Sequence, residues 1–178
     1  MVTDPFSSYR RLMDTAQLLT DSFARVRELY DDLARDLSQG ALHERPGRTG
    51  NSIAWLLWHV ARMQDLQIAE LAGTEQQWTQ WQQQLGLDIG ADDIGYGHTS
   101  EQVDAIRILE PGLLNAYYAD VHDMTDRYLA RVDAAELDRV VDEQWDPPVT
   151  AGVRLVSVLG DCLQHLGQVG YVKGLLAT

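Results

Sequence analysis

The sequence predicts an all-α protein, a four-helix bundle with long connections, and three observations lead there. Apolar residues recur at the 3.6-residue helical period in four long stretches. Glycine and proline gather in the gaps between those stretches. No stretch carries the strict alternation of a half-buried strand. The 178 residues are expected to form one domain, 1–178, large enough to bury a core without covalent staples.

The first helix is expected over 6–38, opened by Asp4 and Pro5 and carried without a break by Phe6, Tyr9, Met13, Phe23, Val26, Tyr30 and Leu33. Gly40 ends it, and LHERPGRTGNS reads as a loop because it holds Pro46, Gly47 and Gly50. The second helix, 52–72, starts after Asn51 or Ser52 and stops at Gly73. Its apolar stripe is Ile53, Leu56, Leu57, Val60 and Met63. A short helix through Trp78 and Trp81 follows, then a loop rich in Gly and Asp.

Thr99 and Gln102 form a capping-box pattern that opens the third helix, 100–131. Pro111 bends or interrupts it, because proline lacks the N–H and clashes with the preceding turn. Residues 133–150 return to loop, stiffened by Pro147 and Pro148. The fourth helix, 151–176, reads as long and mostly buried, with Val153, Val156, Leu159, Leu163 and Val169 facing inward. Gly160, Gly167 and Gly174 recur every seven residues along another of its faces. Each costs about 0.5–1 kcal/mol relative to alanine, so the expectation is a closely packed neighbour over Gly160 and Gly167.

Composition narrows the function. Against 14 Lys and Arg stand 27 Asp and Glu, a formal charge of -13 that repels phosphate backbones, so no nucleic-acid partner is expected. The single cysteine, Cys162, allows neither an internal disulfide nor a cysteine-based zinc cluster. The N-terminus holds no apolar signal core, and no run reaches the roughly 18 apolar residues of a membrane span. No membrane association and a cytoplasmic location are therefore expected.

Three side chains stand out chemically. Asp161 and His165 are four apart on one helix and share a face. With His59 they offer two nitrogens and one carboxylate oxygen, which leaves a coordination position open on a divalent ion. The same residues also fit buried histidines paired with an acid, and spacing leaves both readings standing. His122 and Asp126 repeat the spacing in the charged run HDMTDR, the pattern of a solvated face, and His43 and His98 fall in loops where exposure is the ordinary state. Arg62, one turn after His59, can meet an anionic ligand or form a structural salt bridge. Gln168, seven residues after Asp161, can line the same cavity. Trp55 and Trp58 either wall that cavity or pack the bundle. Cys162 has no basic neighbour in sequence to lower its pKa and reads as a small buried apolar residue.

The segments NSIAWLLWHVARMQD and GVRLVSVLGDCLQHLGQVGYVKGLL, with the RPG loop at Arg45–Gly47, resemble the DinB/YfiT-like superfamily, especially its branch near the mycothiol-dependent enzymes. That resemblance implies a four-helix bundle holding a divalent metal, zinc or alternatively nickel, on His59, Asp161 and His165. It also implies a homodimer. The activity it implies is a metal-dependent thiol S-transferase joining mycothiol or a similar low-molecular-weight thiol to a small-molecule electrophile, with Arg62 and Gln168 as candidates to hold the thiol's polar arm. A metal-dependent hydrolase or isomerase is the alternative, since one related branch isomerises maleylpyruvate. A non-catalytic small-molecule-binding or stress-response protein is a third reading. The chain departs from the family pattern at Asp161, where many members have histidine and the isomerase branch has glutamate. The shorter aspartate arm makes the backbone distance more demanding.

Overall fold

A computed structural model describes residues 13–176. In chain order its elements are α1 (Thr15–Ala34), α2 (Gln39–His43), α3 (Ile53–Ala72), α4 (Trp78–Leu85), α5 (Ser100–Ala105), α6 (Pro111–Leu129), α7 (Ala134–Asp138), β1 (Val140–Asp142), β2 (Val149–Thr150) and α8 (Ala151–Leu176). The long helices α1, α3, α6 and α8 form the bundle: α3 packs on α6 and α8, and α1 packs on the same two. Sixteen of the twenty residues of α3 are buried, Trp58 and Arg62 completely, so α3 is the axis of the core. The fold is all-α apart from a hairpin pairing Val140 with Thr150 and Asp142 with Val149.

Local signals explain where these helices begin and end. Ser52 accepts the N–H of Trp55 at 3.1 Å to cap α3, and Gly73, left-handed at φ 65°, closes it. The capping box at Thr99 and Gln102 is present, but α5 lasts only to Ala105. Pro111 then stands in the first turn of α6, so the third expected helix is interrupted rather than bent. Thr150 Oγ1 accepts the N–H of Val153 at 3.3 Å and caps α8.

Five sequence expectations need correction. The part of the first helix before residue 13 lies outside the described residues. Met13 and Asp14 are not helical, and a capping box between Asp14 and Gln17 starts α1 afresh, so the helix is not continuous from residue 6. It also ends at Ala34, and α2, capped by Ser38, occupies part of the expected loop. The hairpin in the expected 133–150 loop escaped notice because strands of three and two residues are too short for alternation to register. On α8 the buried residues are Leu155, Val158, Cys162, Leu166, Val169 and Val172, whereas Val153, Val156 and Leu163 are exposed. Gly160, Gly167 and Gly174 face open space, with nothing within 4 Å of an added Cβ. The core lies on one side of α8 and the glycine face on the other.

Candidate metal centre

His59 on α3 and the pair Asp161 and His165 on α8 meet where the two helices pack. One ligand atom from each lies within 4.8 Å of the other two. His59 Nε2 is 3.4 Å from Asp161 Oδ2, and His165 Nε2 is 3.6 Å from Asp161 Oδ1. Two donors on one tetrahedral ion with bonds of about 2.1 Å stand about 3.4 Å apart, so these separations suit a shared ion.

Both imidazoles are held by their outer nitrogens. Nδ1–H of His59 donates to the Ile94 carbonyl, and Nδ1–H of His165 donates to Gln168 Oε1 at 3.0 Å. These bonds select the tautomer that turns each Nε2 lone pair toward Asp161, the arrangement a metal-ligating histidine needs. Asp161 Oδ2 is buried and receives no hydrogen bond. An orphaned buried carboxylate oxygen facing the His59 lone pair, with His165 against the other oxygen of the same carboxylate, is a costly arrangement that a cation would satisfy. The donor set therefore fits a divalent metal.

A second ring of residues fixes the first, and the sequence signalled most of it only as loop. Trp55 stacks on the His59 ring, centroids 4.8 Å apart and planes 8° from parallel. Its indole N–H donates to His98 Nδ1 at 3.1 Å, and His98 Nε2–H donates to Asp93 Oδ1 at 2.9 Å. Gly95 lies under Trp55 and Trp58 with φ +93°, and an added Cβ would come within 2.8 Å of the Trp55 ring. The 87–98 loop thus delivers the Ile94 carbonyl to His59. The side chain of His98 is only 6% exposed, correcting the expectation of a surface histidine. His43 is structural as well, since its Nε2 accepts the N–H of Ile108 at 3.0 Å.

The other candidates sort cleanly. Gln168 is exposed beside His165 and positions it. Arg62 is fully buried and is not brought to the open side of the centre. Its guanidinium donates to the Ala91 carbonyl at 2.6 Å, approaches Asp65 at 3.4 Å and lies over the Trp78 ring. Asp65 in turn accepts the N–H groups of Gln77 and Trp78, which starts α4. Arg62 serves as a strut for the loop that His59 also holds. His122 and Asp126 stand 3.5 Å apart, and the His122 side chain is 12% exposed with Nδ1 unpartnered, so this pair is half-buried rather than a solvated face. Neither belongs to the metal cluster. Cys162 is fully buried, as expected of an apolar packing residue.

A helical bundle that gathers two outwardly anchored imidazoles and a carboxylate from two packed helices is a candidate metal-binding bundle. The sequence profile of the DinB superfamily matches residues 22–169, and the chain belongs to that metal-associated superfamily. It is similar to the crystal structure of a conserved protein from Enterococcus faecalis, with 31% identity and a TM-score of 0.82, covering 90% of this chain and 95% of the other. No curated protein matches the chain. Among the described residues no helix is long and apolar enough to cross a membrane.

Proposed function

We propose that this protein is a metal-dependent thiol S-transferase, joining a mycothiol-type low-molecular-weight thiol to an electrophilic small molecule. The observation that supports this reading is a candidate three-donor centre with no accessible thiol among the described residues. Cys162, next in sequence to Asp161, is sealed in the core, and burial, reinforced by the charge of Asp161, pushes its thiol well up. The nucleophile therefore arrives with a co-substrate. A divalent ion on His59, Asp161 and His165, zinc by donor type or nickel as an alternative, supplies a Lewis-acidic position that favours thiolate over thiol. Ile94 and Gln168 keep the two imidazoles oriented, and the exposed Gln168 amide stands where it can also touch the thiol's polar arm. In the reaction the sulfur forms a bond to the electrophilic carbon, the leaving group departs with its electron pair, and the thiol proton passes to solvent.

The test is a thiol panel with a bromobimane electrophile, using zinc-loaded parent and His165→Ala. Conjugation that depends on metal and on one thiol class, and that His165→Ala abolishes, is the expected result. Zinc binding without thiol turnover, together with hydrolysis or isomerisation of a small substrate, would replace this reading with the hydrolase or isomerase one. Zinc binding equal in parent and His165→Ala would remove the metal centre altogether.

We also propose that the protein is a homodimer joined through the outer face of α8. That face presents Val156 at 65%, Leu163 at 45% and Tyr171 at 69% exposure around the open Gly160 and Gly167. It carries no charged side chain among the described residues, in a chain of net charge -13. A helix of 26 residues is about 39 Å long and about 10 Å wide, so the outer face of α8 offers about 400 Å² of the roughly 800 Å² per partner of a standard interface. An antiparallel crossing would set Gly160 opposite the partner's Gly167, an isologous contact.

A further inference from the structure

A cleft of about 470 Å³ opens beside the metal centre, between α3 and α8, with Asp161 at one end and Arg154 at the other. Arg154 precedes Asp161 by seven residues, two turns of α8, so the two lie on one face about 10 Å apart along the axis. Met63, Val149, Val153 and Val158 line the cleft between those ends. Trp145, on the β1–β2 connection, is 66% exposed and also lines the cleft. An exposed indole beside a cleft, with no core to pack against, is a surface that a ligand can cover.

We infer that this cleft binds an elongated, apolar small molecule ending in a single carboxylate, with Arg154 as the residue that selects the carboxylate. The inference deepens the proposed function, because the metal centre at the Asp161 end is where such a molecule would react. Arg154 is held ready: one terminal nitrogen donates to Gln67 Oε1 and the other lies 3.4 Å from Asp142 Oδ2. Asp142 is itself fixed, accepting the N–H of Gln144 at 2.9 Å. The remaining N–H groups of Arg154 have no acceptor among the described residues, and its side chain is 22% exposed. A guanidinium with unfilled donors at the end of a cleft whose middle is lined by Met63, Trp145, Val149, Val153 and Val158 matches a carboxylate. The start of α8 lies at the same end and favours a negative charge there. Asp142 and Asp161 both face the cleft, so a dianionic phosphate would meet more repulsion than a monoanion of the same length.

The probes are 5-phenylvalerate and its neutral amide, titrated calorimetrically into zinc-loaded and metal-free protein. In both forms the parent should favour the carboxylate by about tenfold, the effect of one charge-assisted hydrogen-bonded contact. Arg154→Gln should bring the ratio near one, and Arg154→Lys should restore part of it. Ser157→Trp, which fills the cleft from an exposed position on α8, should weaken both probes together. A ratio near one in the parent, or a ratio that Arg154→Gln leaves unchanged, would overturn the inference. Carboxylate preference confined to the zinc-loaded form would also overturn it, by placing the carboxylate on the metal. A protein that keeps the Arg154-dependent ratio yet binds no zinc would retain this cleft while losing the proposed transferase.

Discussion

Trp55 lies flat against His59 and hands its indole N–H to His98, so one side chain ties an imidazole of the candidate metal centre to the 87–98 loop. The His59 ring is thereby clamped on its face by Trp55 and at its outer nitrogen by Ile94. Trp55→Leu removes the stack and the link to His98 while leaving His59 in place. Zinc affinity, measured by competition with a chelator, should fall about 10–100-fold, as for loss of an outer-shell partner. An unchanged affinity would show that the Ile94 contact orients His59 by itself.

Gly95 is the backbone counterpart of that clamp. A methyl group there would meet the Trp55 ring at 2.8 Å from a φ of +93° that L-residues rarely adopt. Gly95→Ala should cost about 1–3 kcal/mol in urea unfolding and should weaken zinc binding as Ile94 moves off His59. Gly97, at φ +72° but with nothing within 4 Å of an added Cβ, is the control that should cost less and leave zinc binding alone.

Arg62 yields a contrasting expectation. Arg62→Met strands Asp65 in the core with no positive charge beside it, at a cost of about 3 kcal/mol in thermal or urea unfolding. Once folded, the variant should bind the carboxylate and amide probes as the parent does, because Arg62 lies outside the cleft. Altered probe selectivity in a stably folded Arg62→Met would restore a ligand role for this residue.

The hairpin beside the cleft is anchored through α7, where Glu136 accepts from Arg139 at 2.7 Å and from the Tyr128 hydroxyl at 2.7 Å. Arg139 in turn donates to the Leu71 carbonyl. The hydrogen bond from Arg139, with help from Tyr128, overcomes desolvation and holds the Glu136 carboxyl at about 2, against an ordinary 4.5. A depressed carboxylate pKa stabilises the fold above its unfolded value and loses that contribution as pH falls toward the folded one. Between about pH 4.5 and pH 2 the parent should therefore lose stability that Glu136→Gln does not lose. With solvent screening around the half-exposed Arg139, the difference should be about 1 kcal/mol. Parallel stability–pH curves for the two proteins would contradict this assignment.

The open glycines of α8 give an outcome opposite to the one their sequence spacing suggests. With no neighbour within 4 Å inside the chain, Gly167→Leu should leave the unfolding free energy of the subunit unchanged or raise it by up to about 1 kcal/mol through better helix propensity. The same bulk should overfill the proposed seam between copies, so light scattering should report a monomer where the parent is a dimer. A parent that is monomeric at every concentration would reject the seam.

Much of the bundle was legible in the sequence because its signals are local. Ser52 and Gly73 bound α3, Thr99 opens α5, Pro111 starts α6, and each acts through atoms a few residues away. That His59, Asp161 and His165 could come together was legible for a related reason. Asp161 and His165 share a helix face by spacing alone, and the family pattern that the chain resembles supplied His59. What spacing could not decide was which way α8 faces. Both sides of α8 are apolar enough to be buried, and only the packing of α3 and α1 against it chose Leu155, Val158, Cys162 and Leu166 over Val153, Val156 and Leu163.

The sequence by itself determined that four long helices form, the acidic composition and the donors that could hold a metal. The tertiary structure alone decided what holds His59 in place. Ile94, Gly95 and His98 reach His59 and Trp55 from 35 to 43 residues away, through a loop without a periodic pattern. Arg62 had the right spacing for a ligand residue, yet its contacts with Asp65, Ala91 and Trp78 turned it into a strut. The physical reason is the same in both cases. Helical periodicity records which residues share a face, but the partner of a buried polar group is whichever donor or acceptor the packed chain brings within about 3 Å, and that choice has no local signature.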